Sequence, residues 1–391
     1  MSQMPGLRDW QQTALQSWEE NDFHGCFEVA TGGGKTTFAL AAFNHLRENI
    51  GNINCLVVVP TTALLDQWFL AFQDDLGIPT NDIKVLSGKN LNADGLVNLV
   101  IINTARAFNN QYISTEPLFQ IVDECHRAGS AENAKALLPS ARATMGLSAT
   151  PQREFDEGFE THVIPALGKV LISYPLEDAI RDGVLSKLSL TYVKIPLLPT
   201  EQHQYDDLTK KIARSMAVNN VEAATSLLRK RSRLSNEAFY RLPVMFSVLQ
   251  SNRGRRTLVF VESIASAEGA KKLLDESGHS TTIYHSQMGT AIRRANLRGF
   301  RKGIFDVLIA CRALDEGFNV PEAELAVIVA GTASKRQRIQ RVGRVLRSMA
   351  DKEHGEVVTL YATPAEETRL LREAALLQAN TTINWIEASH E

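Results

Sequence analysis

Short apolar runs alternate with amphipathic stretches along both halves of the chain. In the first half, runs of strand length lie at residues 25–30, 55–60, 99–103, 119–123 and 143–147, and stretches with helical spacing of apolar residues lie at 36–48, 62–73 and 132–138. The second half repeats the alternation, with strand-like runs at residues 257–261, 281–284, 307–310, 325–330 and 356–361. Apolar strands separated by helices are typical of parallel sheets covered on both faces. The pattern predicts an α/β fold with two tandem domains, each a mostly parallel sheet with helices on both faces.

The same pattern places the domain boundaries. We predict a first α/β domain over residues 1–170, a linker with an entering strand over 171–200, a helical segment over 201–250 and a second α/β domain over 251–391. Pro175, Pro196 and Pro199 mark the linker, because proline interrupts helices and central strands. The helical segment carries a basic run at 229–231. It is either a thumb-like insertion that contacts nucleic acid or a helical linker with a solvated basic face.

The composition is that of an ordinary globular protein. Of 391 residues, 44% are hydrophobic and 22% are charged, which argues against disorder and against a coiled coil. The apolar runs are too short to span a membrane, and the N-terminus shows no signal-peptide pattern. The four cysteines form no C-x-x-C pair, so neither a zinc site nor a disulfide framework is predicted. We expect a soluble, cytoplasmic chain with no membrane partner.

The small net charge of −2 conceals a division along the chain. Residues 1–170 contain 11 basic and 19 acidic side chains, whereas residues 171–391 contain 31 basic and 25 acidic ones. Basic residues of the second half cluster at 229–233, 253–256, 293–302 and 335–347. Such clusters are the electrostatic footprint expected of a polyanion-binding protein, which favours nucleic acid as a partner.

A glycine-rich loop follows the first predicted strand. Its residues are Thr31, Gly32, Gly33, Gly34, Lys35, Thr36 and Thr37, and a predicted helix continues from them. Glycines let backbone amides approach a phosphate closely, and the start of a helix favours an anion. We expect this loop to bind the phosphates of ATP, with Lys35 reaching the β- and γ-phosphates and the Thr36 hydroxyl binding Mg²⁺.

A second motif lies at the end of the buried run at 119–123, where Asp123 and Glu124 stand side by side. Phosphoryl transfer to water needs a metal ion on the phosphates and a base that polarises the attacking water. We predict that Asp123 holds Mg²⁺ and that Glu124 is the general base. Together the two motifs predict a nucleoside triphosphatase that uses ATP and Mg²⁺.

Four segments, in this order and spacing, resemble the motifs of superfamily 2 helicases and translocases. They are ATGGGKT at 30–36, DECH at 123–126, GLSATP at 146–151 and QRVGRVLR at 340–347. The LRxxQ pattern at 7–11 and LDEG at 314–317 are similar to the XPB-like and restriction-subunit branch of DNA motors. The resemblance implies two tandem RecA-like domains of the P-loop NTPase type. Where the family commonly has Thr and Asp in its fifth motif, this chain has Cys311 and Asn319.

The resemblance also implies roles for individual residues. Arg344 and Arg347 would act catalytically as arginine fingers from the second domain. Nucleotide contacts outside the loop would come from Arg8, Gln11, Gly317 and Gln340. Residues that couple the nucleotide to the nucleic acid would be His126, Ser148 and Thr150. Residues on the nucleic-acid track would be Thr61, Thr104, Arg106, His285 and Arg293.

These inferences favour an ATP-dependent DNA helicase or translocase that couples hydrolysis in an interdomain cleft to movement along nucleic acid. By analogy the direction of movement is 3′ to 5′. Two alternatives stay open: an RNA-stimulated helicase or remodeller, and a nucleotide-gated motor subunit of a larger repair or defence complex. In the second alternative, protein partners would supply a nuclease or a targeting function. The stimulation of ATP hydrolysis by DNA, RNA or a protein partner distinguishes the three.

Overall fold

The chain folds into two compact units, which divide between residues 185 and 186. The computed structural model describes residues 6–88, 94–108, 116–149, 157–184, 187–311, 323–330, 354–375 and 381–388. Within these residues, no helix combines the length and the apolar character needed to cross a membrane.

The first unit is built on a seven-stranded sheet with the order β3-β4-β2-β5-β6-β1-β7. All of its strand pairs are parallel. The strands are β1 His24–Val29, β2 Asn54–Val59, β3 Ile83–Leu86, β4 Val97–Ile101, β5 Leu118–Asp123, β6 Ala143–Ser148 and β7 Val170–Tyr174. The central strands are buried on both faces because their residues are almost all apolar.

The α-helices of the first unit lie before, between and after these strands in the chain. They are α1 Asp9–Glu20, α2 Lys35–Ile50, α3 Thr62–Leu70, α4 Ile102–Ala105, α5 Ala131–Ala134, α6 Ile164–Leu167 and α7 Leu176–Arg181. Phe38 and Phe43 of α2 are buried, as are Trp68 of α3 and Phe119 of β5, so the core lies between the helices and the sheet.

The second unit has another seven-stranded sheet of parallel pairs, with the order β10-β11-β9-β12-β13-β8-β14. Its strands are β8 Lys187–Lys194, β9 Thr257–Val261, β10 Thr281–Tyr284, β11 Val307–Cys311, β12 Leu325–Ile328, β13 His354–Tyr361 and β14 Thr381–Glu387. Its described helices are α8 Pro199–Ala217, α9 Val221–Asn236, α10 Arg241–Ser251, α11 Ile264–Glu276, α12 Thr290–Arg301 and α13 Pro364–Ala375.

The two sheets have the same strand order. Adding seven to each strand number of the first sheet gives the order of the second sheet, strand by strand. The prediction of two mostly parallel α/β sheets is therefore confirmed, and the sheets share a topology that the sequences of the two halves do not reveal.

The structure differs from the sequence prediction in several elements. The strands β3, β7 and β14 were not predicted, and β14 in particular is mostly exposed, so its sequence lacks an apolar run. The helix predicted at 132–138 is only the short α5. The Gln120 side chain explains why α5 does not continue. This side chain donates to the carbonyl of Ala136 and accepts a hydrogen bond from the amide of Leu138. The segment 171–200, predicted as a linker with an entering strand, contains β7 and α7 of the first unit and then β8 of the second.

Candidate active site

The glycine-rich loop lies between the carboxyl end of β1 and the start of α2. Gly34 has φ +104, in the left-handed region that favours glycine, and it caps α2. A Cβ atom on Gly33 would lie 2.9 Å from the carbonyl oxygen of Ala30, so the tight turn has no room for a side chain. Thr36 and Thr37 follow in the first turn of α2, where backbone amides have no helical partner. The loop therefore presents the amide-rich helix start that an anion prefers.

Arg8 and Gln11 hold the start of α1 against this loop. Arg8 Nη1 donates to the carbonyl of Gly33, and Gln11 Nε2 donates to the carbonyl of Gly34, each at 3.1 Å. The Gln11 side chain also accepts a hydrogen bond from the Arg8 amide at 2.9 Å. Both predicted nucleotide-binding residues thus lie beside the loop, and in this structure they bond its backbone.

Asp123 ends β5, and its carboxylate is held at both oxygens. Oδ2 accepts a hydrogen bond from the indole Nε1 of Trp68 at 2.9 Å, and Oδ1 accepts one from the Glu124 amide at 3.0 Å. Burial, followed by the neighbouring Glu124 carboxylate, raises the pKa of Asp123 to about 6, against the opposing effects of Lys35 and of the Trp68 hydrogen bond. Above this pH, Asp123 is an anionic oxygen donor.

Glu124 has an unusual backbone conformation, with φ +52 in the left-handed region. Such a conformation is strained for a residue with a side chain, and strain of this kind concentrates at functional sites. The Glu124 side chain is buried, and its Oε2 lies 3.5 Å from Nδ1 of His126. The chain therefore places this carboxylate directly after the strand end that carries Asp123.

His126 connects the ends of β5 and β6. Its Nδ1 lies 2.9 Å from the hydroxyl of Ser148, and both side chains are buried. The same nitrogen faces Glu124. The structure thus brings together two of the three residues predicted to couple nucleotide to nucleic acid, and the third, Thr150, lies outside the described residues.

One cleft joins the predicted phosphate and metal residues. It is lined by Thr31, Gly32, Lys35, Thr36, Leu64, Gln67, Asp123 and Glu124. The Lys35 ammonium also donates to the carbonyl of Val29 at 3.0 Å. The hydroxyl of Thr31 is buried, with no hydrogen-bond partner among the described residues. The cleft therefore combines positive charge, a polar group able to bond a ligand and two carboxylates.

The oxygen donors of this cleft fit Mg²⁺. A hydroxyl from Thr36 and a carboxylate from Asp123 are hard ligands, and Mg²⁺ bound to a nucleotide takes its remaining ligands from phosphate and water. Among the described residues there is no cluster of three or more His, Cys, Asp or Glu side chains that would form an all-protein metal site. The residues thus suit an ion that arrives with a nucleotide.

The α3 residues of the cleft were not predicted from the sequence. Leu64 and Gln67 line the cleft, and Trp68, which does not line it, lies four residues after Leu64 on the same side of α3. This spacing is the only signal in the sequence, and it is equally typical of a helix that packs against a sheet.

The residues predicted to contact nucleic acid in the first unit follow strand ends on the same edge as the cleft. Thr61 follows β2 and caps α3, where its hydroxyl accepts from the Leu64 amide at 3.3 Å. Thr104 lies in α4, directly after β4. Arg106 follows it, and its Nε donates to Asn133 at 2.7 Å.

The two residues predicted for this role in the second unit are largely buried. His285 follows β10, and its Nδ1 has no hydrogen-bond partner among the described residues. Arg293 Nη1 donates to the carbonyl of Met288 at 2.8 Å, so its side chain holds the loop before α12. The remaining predicted residues, Gly317, Gln340, Arg344 and Arg347, lie outside the described residues.

Two known protein families match the segments of the chain that carry these motifs. Residues 4–153 match the family "Type III restriction enzyme, res subunit", and residues 237–349 match "Helicase conserved C-terminal domain". The chain is a superfamily 2 helicase core. It belongs to the branch that contains XPB and the restriction subunits.

Curated relatives resemble this helicase core over most of its length. The "DNA 3'-5' translocase XPB2" of Sulfurisphaera tokodaii is 26% identical over 374 residues, which cover 89% of this chain and 80% of the relative. The "Putative DNA 3'-5' helicase Rad25" of Haloarcula marismortui is 26% identical over 88% of this chain, but the match covers only 51% of the relative. The helicase core thus spans about half the length of some of the relatives it matches.

The solved structures agree with the fold of the helicase core. The structure of Saccharomyces cerevisiae Dbp5 bound to RNA and ADP BeF3 is similar with a TM-score of 0.65 at 15% identity, over 97% of this chain and 89% of that one. At this identity the likeness shows the fold alone. The prediction of tandem RecA-like domains is confirmed.

Proposed function

We propose that this helicase core hydrolyses ATP and uses the reaction to move along DNA, as a helicase or translocase. The observation that carries the proposal is the cleft of the first unit, where the loop residues Lys35 and Thr36 meet the carboxylates of Asp123 and Glu124. A phosphate loop and a paired carboxylate in one cleft are the parts that phosphoryl transfer to water requires.

The residues of the cleft divide the chemistry among them. The amides of the loop and the Lys35 ammonium bind the phosphates and stabilise the negative charge that develops during transfer. Thr36 and Asp123 would hold Mg²⁺, which would supply positive charge against the phosphates. The Glu124 carboxylate accepts a proton from the attacking water, and its backbone conformation fixes where that carboxylate lies.

The second unit contributes positive charge in this proposal. Arg344 and Arg347 bind the γ-phosphate during hydrolysis, so that turnover depends on both units. Gln340 and Gly317 complete the nucleotide site, and Arg8 and Gln11 contact the base. His126 and Ser148, which bond each other at 2.9 Å, transmit the state of the γ-phosphate from β5 to β6.

In this proposal DNA contacts the carboxyl edge of the sheet in each unit. In the first unit, Thr61, Thr104 and Arg106 lie at this edge, after the ends of β2 and β4. In the second unit, His285 and Arg293 lie after β10. The proposed contacts are mostly to phosphates, so binding tolerates many sequences and weakens as salt rises. The α8–α9 pair, with the basic run at 229–231, is either a thumb-like element that contacts nucleic acid or a helical linker with a solvated basic face.

Relatives support DNA as the substrate. The Sulfurisphaera tokodaii and Haloarcula marismortui proteins are both named for 3′-5′ movement on DNA. We propose the same substrate and direction for this chain, and cytoplasmic localisation. Protein partners that supply a nuclease or a targeting function are a further part of the proposal.

Strand displacement tests the proposed movement. Partial duplexes of equal length, with a 3′ or a 5′ single-stranded tail, are incubated with the protein, ATP and Mg²⁺, and a triplex of the same sequence reports translocation without unwinding. We expect displacement of the 3′-tailed duplex or of the triplex, and none with ATP replaced by a non-hydrolysable analogue. Displacement of RNA duplexes in preference to DNA would favour an RNA helicase. Displacement of neither substrate would favour a motor that acts only with a partner.

A further inference from the structure

Trp68 contacts the Asp123 carboxylate, and it lies outside both the glycine-rich loop and the 123–126 motif. It lies on α3, and its indole Nε1 donates to Oδ2 of Asp123 at 2.9 Å across 55 positions of sequence. The indole is 1% exposed and the Asp123 side chain is also buried. The indole nitrogen can only donate, so the Oδ2 oxygen that it contacts must act as a hydrogen-bond acceptor.

The bond fixes the orientation of the carboxylate. Oδ1 of Asp123 accepts from the amide of Glu124 and Oδ2 accepts from Trp68, so the plane of the group is held at both ends. The Trp68 ring packs on Phe72, with 5.8 Å between ring centroids. A rigid aromatic side chain packed in this way keeps its N–H in one place at low entropic cost. The two hydrogen bonds therefore fix the directions in which the remaining lone pairs of the Asp123 carboxylate point.

The same helix forms a wall of the nucleotide cleft. Leu64 and Gln67, one turn and one residue before Trp68, line the cleft together with Asp123. The first turn of α3 is capped by Thr61 at the edge where DNA is proposed to lie. Any shift of α3 therefore moves the donor that orients Asp123.

We propose that Trp68 is a positioning residue, which orients the Asp123 carboxylate toward the Mg²⁺ of a bound nucleotide. This inference uses one part of the proposed function, which is the binding of a Mg²⁺–nucleotide complex in this cleft. Partners of metal-binding carboxylates change metal affinity by about 10- to 100-fold when they are removed. Trp68 does not touch the reacting phosphate in this account, and it acts through Asp123.

Trp18 provides a matched control for an ordinary buried indole. Its Nε1 donates to the backbone carbonyl of Thr144, also at 2.9 Å, and its side chain is fully buried in the same unit. Trp18→Phe and Trp68→Phe thus remove the same group with the same change of size. They differ in whether the acceptor is a backbone carbonyl or the Asp123 carboxylate.

The test is the affinity for Mn²⁺, used as a paramagnetic substitute for Mg²⁺, in the presence of saturating ADP. Electron paramagnetic resonance of free Mn²⁺ gives the dissociation constant without turnover. We expect Trp68→Phe to weaken Mn²⁺ binding by about 10- to 100-fold while ADP affinity without metal stays near that of wild type. Trp18→Phe should bind Mn²⁺ as wild type does, even where both variants lose similar stability in denaturant. Equal Mn²⁺ affinity in Trp68→Phe and wild type, or equal weakening in both variants, would overturn the proposal.

A measurement on the unmodified protein covers the case in which Trp68→Phe does not fold. The chain has four tryptophans, and ¹⁵N labelling of their indoles gives one N–H resonance each, with Trp18 identified from the Trp18→Phe spectrum and Trp10 and Trp385 from their own variants. Adding Mg²⁺ to the ADP-bound protein should move the Trp68 resonance and leave that of Trp18 in place. A Trp68 resonance that does not respond would contradict the proposal.

These outcomes are separate from those for the proposed function. A wild-type protein that binds Mn²⁺ and ADP but neither displaces strands nor responds to DNA would contradict the motor and leave the role of Trp68 testable. Conversely, a motor whose metal affinity is unchanged in Trp68→Phe would contradict only the role of Trp68.

Discussion

At the scale of single residues, the site depends on two adjacent carboxylates in different surroundings. Asp123 is held by hydrogen bonds at both oxygens, whereas Glu124 follows in a strained backbone conformation and faces His126. Two acids with different environments can take different roles, and here the first suits metal binding and the second suits proton transfer.

Replacing Glu124 tests its role as the general base. Glu124→Gln keeps the size of the side chain but removes its ability to accept a proton. We expect kcat for ATP hydrolysis to fall by about 10²- to 10⁴-fold while ATP binding, measured by equilibrium titration, is retained. Glu132→Gln is the matched control, because Glu132 is an exposed carboxylate on α5 paired with Lys135. A Glu124→Gln variant with near-normal kcat would contradict the assignment.

The raised pKa of Asp123 predicts how stability depends on pH. The folded state holds the Asp123 proton more tightly than the unfolded chain, because its pKa is about 6 in place of 3.8. The stabilisation from protonation is therefore fully present below about pH 4 and is lost as the pH rises through 6. The asparagine of Asp123→Asn does not titrate, so the free energy of unfolding of this variant should rise relative to that of wild type as the pH increases from about 4 to 6. Denaturant unfolding without metal or nucleotide measures the difference, and a constant difference would argue against the raised pKa.

At the scale of elements, the identical strand orders make the two units comparable position by position. In the first unit, β1 leads to the glycine-rich loop and to Lys35 at the start of α2, the helix before β2. In the second unit, β8 corresponds to β1 and α10 is the helix before β9, with α8 and α9 inserted between them. The first residue of α10 is Arg241, at the position that corresponds to Lys35.

Arg241 fills this position with an internal ion pair. Its side chain is buried and donates to the Glu366 carboxylate at 2.8 Å. It also donates to two backbone carbonyls, that of Val329 directly after β12 and that of Leu360 within β13. In the second unit, the cation at this position is therefore bonded by groups of the same unit.

Breaking this pair should be costly. Arg241→Met leaves the Glu366 carboxylate buried without its cation, so we expect the free energy of unfolding to fall by about 3–5 kcal/mol. Arg241→Met combined with Glu366→Leu should lose less than the sum of the two single changes. Arg233→Met is the control, because the Arg233–Glu237 pair is exposed and should contribute less than about 1 kcal/mol. Equal losses at positions 241 and 233 in denaturant unfolding would contradict the assignment.

Elements with strong local patterns could be predicted from the sequence, and those that depend on distant partners could not. The phosphate loop and the Asp123–Glu124 pair were predictable because each sits at a strand end with its chemistry in adjacent residues. The edge strand β14 could not be predicted, because most of its side chains are exposed. The hydrogen bond of Trp68 was equally hidden, since its acceptor Asp123 lies on β5, 55 residues further along the chain. The helical spacing of Trp68 indicates only that the residue is buried.

At the scale of the whole molecule, the two units share a topology but differ in chemistry and charge. Residues 1–170 carry an excess of acidic side chains and residues 171–391 an excess of basic ones. The glycine-rich loop belongs to the first unit, and the proposed arginine fingers belong to the second. The proposed function therefore predicts that ATP hydrolysis needs residues from both units.

Removing an arginine finger tests this dependence. We expect Arg344→Ala to lower kcat for ATP hydrolysis by about 10³- to 10⁵-fold with ATP affinity largely kept, because the charge acts in the transition state. Arg372→Ala is the control, since Arg372 is an exposed residue of α13 in the same unit. Steady-state kinetics measures both variants. Loss of ATP affinity with unchanged kcat in Arg344→Ala would place this arginine in ground-state binding.

The central claim, that ATP hydrolysis in this cleft depends on DNA, is tested most directly by steady-state hydrolysis in four parallel reactions. These contain no nucleic acid, single-stranded DNA, duplex DNA or RNA of matched length, at fixed salt and Mg²⁺. The account predicts strong stimulation by DNA, weaker stimulation by RNA, and no stimulated rate in Glu124→Gln. Hydrolysis that no nucleic acid stimulates, or that RNA stimulates more than DNA, would contradict it.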